Sequence, residues 1–243
     1  MQCLSSALVS KVLKGIMKVL RSILWWIFIW CIPLFLIAST ILWEVKSIRL
    51  YEYGVDTYQI SDASGIAKPE LMKLYQHLID YYNSKVDTAQ VTVIKSGEKL
   101  NVFSEKELIH LKDVKGLIQL DHTVQIATFG VMLICVMGLL LWIRNSWRVA
   151  VKGLFWGSVI TFSVVIFLSL WSMFGFEQLF VLFHLVSFTN EFWIIDPNEG
   201  SFLVLFPGSF FYDAALFGFG AVFIESIVLG GIAFGITKLS ART

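Results

Sequence analysis

The chain is 243 residues long, 57% apolar and 15% charged, with a mean hydropathy of +0.74. That composition excludes an ordinary soluble domain. The net charge of +1 is balanced, and with no basic patch or phosphate loop in the chain nucleic acid is excluded as a partner.

A bilayer core about 30 Å thick needs about 20 apolar residues per helix. Four stretches meet that length: 23–43, 123–143, 153–175 and 214–236. The expected fold class is therefore an α-helical membrane protein with four transmembrane helices and a small extracytoplasmic α+β cap. Cations without acids precede the first span (Lys11, Lys14, Lys18, Arg21), occupy the short loop between the second and third (Arg144, Arg148, Lys152) and follow the fourth (Lys238, Arg242). By the positive-inside rule these regions and both termini are cytoplasmic, which places 44–122 and 176–213 outside. The first apolar run exceeds the roughly 7–15 residues of a cleavable signal and reads as an uncleaved anchor. Cys3, Cys31 and Cys135 fall near the cytoplasmic end or inside spans. A disulfide, a cysteine-rich metal site and a catalytic thiol are thus excluded from the external segments.

In chain order, residues 1–22 form a basic segment with Leu8, Val9, Val12, Leu13, Ile16, Met17 and Leu20 at helical spacing. It reads either as an amphipathic helix on the inner leaflet or as the start of the first span. Trp25, Trp26 and Trp30 suggest an interfacial belt, and Pro33 a kink. In the external domain 44–122, Ile48 to Tyr53 alternates weakly and predicts a short strand. Pro69 opens a helix whose buried face is Leu71, Leu74, Tyr75, Leu78, Ile79 and Tyr82. Residues 91–94 and 100–103 flank Lys95-Ser96-Gly97-Glu98-Lys99 as a β-hairpin. Ser104-Glu105-Lys106-Glu107 has capping-box spacing and predicts a helix running into the second span.

That last helix puts Glu107, His110 and Asp113 near one face, where a carboxylate would fix the imidazole tautomer and raise its basicity. The same pattern also describes a solvated polar row. After the 123–175 hairpin of spans comes the segment 176–213, with eleven aromatics, five carboxylates and no Lys or Arg. Residues 177–189 predict a helix with Phe180, Phe183 and His184 close to one face, and Asp196-Pro197-Asn198-Glu199-Gly200 a turn. Its two short apolar arms read as re-entrant or interfacial structure lining an opening to the outer leaflet, or as an ordinary aromatic belt. The last part, 214–243, holds the fourth span and the tail. Glu225 lies near the middle of that span, with Ser158, Thr161 and Gln125 as candidate hydrogen-bond partners.

His110 and His184 thus emerge on the same side of the membrane, each near carboxylates. Two imidazoles suit general acid–base work, one removing a proton while the other donates one. No GxSxG elbow is present outside the membrane. The pair could ligate a metal with Asp113 as third ligand, but HExxH or similar spacing is absent, and no metal is expected. A sensor or assembly module whose external domain binds a partner is the alternative class. A transporter built on Glu225 is disfavoured by four spans without internal repeats.

The stretches Phe103 to Lys115 and Phe183 to Pro197, followed by Leu205-Phe206-Pro207, resemble the signature blocks of a bacterial membrane family, the lipoprotein intramolecular transacylases (Lit). The resemblance covers the whole chain. It rests on His110-x-x-Asp113-Val114-Lys115 and on the spacing of Phe183-His184 to Trp193-x-x-x-Pro197. The chain departs from the family pattern at Glu191, Asp196 and Gly208. The resemblance implies an acyltransferase of the bacterial cytoplasmic membrane acting on diacylglyceryl-modified lipoproteins drawn from membrane lipid. The sn-2 acyl chain moves from glycerol oxygen to the cysteine α-amine, leaving an N-acyl lyso-lipoprotein, and no cofactor is implied because an amide replaces an ester. The candidate site then comprises His110 and His184 as the catalytic pair. Glu107, Asp113, Asn190, Trp193 and Asp196 support them, and Phe183, Phe188, Phe192 and Phe206 line the substrate path. The Glu107/Asp113 neighbours make His110 the better placed base.

Overall fold

The computed structural model describes residues 2–142, 147–196 and 200–240. Arg144, Pro197, Asn198, Glu199 and Arg242, and the Cys3 side chain, lie outside the described residues. Four helices are long and apolar enough to cross a membrane: α1 (Gln2–Val45), α5 (Glu105–Trp142), α6 (Trp147–Ser187) and α8 (Gly208–Ser240). α6 counts 41 residues across a break at Gly175, twice the roughly 20 that one crossing needs. The charged start of α5, 105–122, and the part of α6 beyond Gly175 therefore extend past the apolar spans 123–143 and 153–175.

The chain divides into two compact units. The first takes in the described residues of Met1–Ile37, Val124–Val165 and Val222–Thr243. Its core holds Phe28, Ile32 and Cys135, with Leu24, Met132, Leu154 and Leu229 packed on them. Gly153 and Gly157 stand one turn apart on α6 and let α1 come close. A methyl group on Gly157 would lie 2.3 Å from Ile32 Cδ1, and one on Gly153 2.7 Å from Phe28 Cδ1. Small residues at such spacing are how helices pack where lipid removes the hydrophobic drive. The basic segment and the first span are one helix, which runs on through Pro33. Glu225 belongs to this unit. The Ser158 and Thr161 hydroxyls donate to the Leu154 and Gly157 carbonyls of their own helix, each at 2.8 Å.

The second unit, Ala38–Thr123 with Ile166–Ala221, holds the cap. Residues 48–53 are not a strand but the start of α2 (Ile48–Thr57). Its buried residues Tyr51, Gly54 and Val55 recur at helical spacing, and that period overrides a weak alternation. The short α3 (Ile60–Ser64) follows. α4 (Lys68–Tyr82) begins with Pro69 in its first turn and buries the six residues expected of it. β1 (Thr92–Lys95) and β2 (Glu98–Asn101) pair antiparallel with Thr92 opposite Asn101. Ser96 and Gly97 both have positive φ, as a tight two-residue hairpin turn requires. The sheet is small, and the cap is mostly helical.

An aromatic core joins α2 and α4 to α7 (Phe202–Leu205) and the start of α8. Tyr51 stacks on Tyr75 at 5.1 Å and on Phe210 at 6.0 Å, and the Tyr75 hydroxyl donates to the Leu205 carbonyl at 2.8 Å. The Phe210 ring lies on Gly54, where a side chain would clash. Tyr53 and Tyr58 both donate to Asp213, which ties α2 to α8.

Candidate active site

Both histidines sit in the second unit, on helices whose local sequence explains their placement. Ser104 caps α5: its Oγ accepts the Glu107 N–H at 3.3 Å while its own N–H donates to Glu107 Oε2 at 2.7 Å. This is the reciprocal pairing that the Ser-x-x-Glu spacing predicts. Glu107, His110 and Leu111 then recur at helical spacing and are all buried. On α6 the helical path breaks at Gly175 (φ −160°, ψ 49°) and resumes with Phe176, and His184 lies on the last turns beyond this kink. The helix ends at Ser187, and residues 188–196 form the loop that follows.

The His110 and His184 rings face each other with centroids 6.1 Å apart and planes 26° from parallel. Only 5% of His110 and 7% of His184 is exposed. Phe188 packs on both, at 5.2 and 5.5 Å. Phe202 covers His110 at 5.7 Å. Phe180, Trp193 and Phe183 contact His184 at 4.3, 5.0 and 5.3 Å. The pair occupies an aromatic box.

The two imidazoles are held differently. His184 Nδ1 is 2.7 Å from the Phe180 carbonyl. A carbonyl only accepts, so Nδ1 carries the hydrogen and, in the neutral ring, Nε2 keeps the lone pair. His110 Nδ1 is buried with no hydrogen-bond partner. Burial pulls the His110 imidazole down to about 4, with the nearby His184 ring acting in the same direction and Asp113 opposing. Burial also lowers His184, but the Phe180 carbonyl opposes it by stabilising the charged ring. His184 is the more basic by position.

This corrects the expectation that Glu107 orients His110. Glu107 Oε2 is taken by the Ser104 N–H and Oε1 by the Phe202 N–H at 2.8 Å. Asp113 accepts from Asn190 Nδ2 at 2.9 Å, and Asn190 Oδ1 accepts the Phe192 N–H at 3.0 Å. These polar residues tie the loop to α5. Trp193 and Phe188 are at the histidines, as is Phe183, which is half exposed. Phe192 and Asp196 are on the exposed side of the loop. Phe206, expected as a lining residue, is instead buried in the aromatic core, 4.9 Å from Phe202 and 5.5 Å from Tyr75. The other histidines are elsewhere: His77 Nε2 donates to the Thr88 carbonyl at 2.9 Å, and His122 is exposed. Sequence reading missed Phe202 as a wall of the box and Gly200 as more than a turn residue. Its only signal was a glycine closing an Asp-Pro-Asn-Glu turn.

A buried pair of neutral imidazoles, one with a defined lone pair, can move a proton to or from a reactant bound between aromatic rings. Among solved structures, the chain is similar to the membrane-integral lipoprotein intramolecular transacylase Lit from Bacillus cereus. The TM-score is 0.79 at 24% identity, covering 93% of this chain and 100% of that one. A variant of that protein with one histidine replaced by arginine gives a TM-score of 0.76 at 23% identity, covering 96% and 99%. At such identities the likeness establishes the fold alone. No curated protein matches. The family model described as lipoprotein intramolecular transacylase Lit matches residues 26–211, more than half of the chain, and the chain belongs to that family of membrane acyltransferases.

Proposed function

We propose that this transacylase works through His184 as the proton carrier and His110 as a neutral hydrogen-bond donor. The observation that carries the reading is the juxtaposition of the two buried imidazoles in one aromatic box. The substrate is a lipoprotein whose N-terminal cysteine bears a diacylglyceryl group. The α-amine attacks the sn-2 ester carbonyl, forming an N–C bond and a tetrahedral oxyanion. The C–O bond to glycerol then breaks, and the proton lost by the amine ends on the glycerol oxygen. Ester and amine become amide and alcohol, with no net gain or loss of protons. Nucleophile and electrophile belong to one molecule, so much of the barrier is removed by folding the substrate into attack geometry.

The role of each histidine follows from how it is held. The Nε2 lone pair of His184 takes the amine proton, and the Phe180 carbonyl stabilises the imidazolium formed. The same ring returns the proton to the departing oxygen. The low pKa of His110 keeps it neutral, so its N–H donates to the developing oxyanion without competing for the proton. Membership in an acyltransferase family sets aside the reading of a non-catalytic sensor.

The chain lies in the bacterial cytoplasmic membrane with both termini inside and the histidines at the outer leaflet, as the cations at Lys11, Lys14, Lys18, Arg21, Arg148, Lys152 and Lys238 favour. On the helix that carries His184, Leu182, Phe183, Leu185 and Val186 are exposed and apolar. This is a face for acyl chains arriving from lipid while the peptide stays in water. The test is lipoprotein mass spectrometry in cells expressing His110→Ala or His184→Ala as the sole transacylase. The expected outcome is unprocessed diacylglyceryl lipoprotein; abundant N-acyl lyso product from either variant contradicts the assignment.

A further inference from the structure

Glu107 is the buried carboxylate nearest the site that the proposed chemistry leaves unused, with only 1% of it exposed. Desolvating an ionised carboxylate costs several kcal/mol unless hydrogen bonds replace its water. Helix capping needs one of its oxygens, and the Ser104 N–H occupies Oε2. The other oxygen reaches across to another part of the chain and accepts the Phe202 N–H.

The partner segment fits this contact. Gly200 has φ +97°, a conformation that L side chains rarely adopt. A methyl group there would lie 2.3 Å from Glu107 Oε1 and 2.5 Å from its Cδ and Oε2. The backbone at 200–202 therefore presses directly on the carboxylate. Phe202, whose N–H is held, places its ring on His110. Lys106 donates to the Ile194 carbonyl and Asp113 accepts from Asn190, so α5 grips the same loop at two further points, both more exposed.

We infer that Glu107 is a positioning residue of the transacylase site: it fixes the chain at Gly200–Phe202 against α5 and so sets the Phe202 wall against His110. This rests on the catalytic reading of His110. It assigns to Glu107 a role through Phe202 and not through the imidazole itself. The nearly isosteric Gln has one acceptor oxygen and a terminal NH2, so it satisfies only one of the two N–H groups.

The experiment uses the full-length enzyme purified in lipid or detergent, with a synthetic diacylglyceryl lipopeptide as substrate. In Glu107→Gln, kcat should fall by roughly tenfold or more while KM stays within about twofold, because the wall matters to the reacting geometry more than to lipid binding. Amide exchange should quicken in the peptide around 200–206 and not in α4. Ser104→Ala removes the hydroxyl half of the reciprocal cap but leaves the Glu107 carboxylate its bonds to the residue-104 N–H and to Phe202, and should keep both kcat and that protection near wild type. Three outcomes overturn the inference. One is unchanged kcat and exchange in Glu107→Gln. Another is uniform deprotection that includes α4. The third is equal losses in Ser104→Ala, which would make capping the whole role. If the histidine variants are inactive while Glu107→Gln behaves as wild type, this inference alone falls. If the histidine variants stay active, the catalytic reading falls and takes this one with it.

Discussion

His110 is a histidine built to stay neutral. Its ring is buried, its Nδ1 has no partner, and its neighbours are phenylalanine rings and a second imidazole. The consequence for stability has a definite sign. An unfolded histidine titrates near 6.5, and folded His110 titrates near 4. Between those values the unfolded chain binds the proton and the folded chain does not. The contribution of His110 is therefore complete above about pH 6.5 and is lost progressively as pH falls toward 4, up to about 3 kcal/mol. Thermal melting of wild type should fall more steeply over that window than melting of His110→Gln. Parallel curves would show that His110 is not held neutral by the fold. The two histidines were singled out by residue type and expected membrane side, and their rings face each other in the fold. Their unequal character was not legible, since it depends on a carbonyl within α6 and on what else the box contains.

At the scale of elements, the legible parts are those with local causes. The capping box at Ser104 and the Pro69 start and buried stripe of α4 formed as expected, and the hairpin formed with a two-residue turn at Ser96-Gly97 where a five-residue connection, 95–99, was expected. The failures were also physical. Residues 48–53 gave too short a window to separate alternation from helical period, and packing of Tyr51 on Tyr75 and Phe210 decides for the helix. Phe206 looked like part of an apolar doorway because its neighbours in sequence are apolar. Its burial follows from partners on α2 and α4 that the local pattern does not announce. Glu107 was legible as a cap but not as a tether, because its second partner is far away in sequence. In the first unit, the close approach of α6 to α1 at Gly157 makes a firm prediction. Gly157→Ala should lower stability by about 1–3 kcal/mol, read as a lower melting temperature of the purified protein. A melting temperature at the wild-type value would mean that the helices do not meet there.

At the scale of the molecule, four apolar helices were legible from span length alone; the cap, expected as α+β, holds one two-stranded hairpin among its helices. Charge placement along the chain assigned both histidines to one side of the membrane, and both belong to the cap unit. The exposed apolar face beside His184 belongs to this scale too. Phe183 touches the His184 ring while half of it is exposed. Phe183→Lys should cut turnover strongly while membrane insertion and expression stay normal. Unaltered turnover would argue that acyl chains reach the site another way.

The most direct test of the histidine pair is single-turnover acyl transfer by the purified enzyme, comparing His110→Ala, His184→Ala and the double variant on a diacylglyceryl lipopeptide. Groups that act as one unit are not additive. Each single variant should lose nearly all transfer, and the double variant should be little worse than either. Losses that multiply in the double variant, or a single variant that retains wild-type transfer, would contradict a shared chemical role.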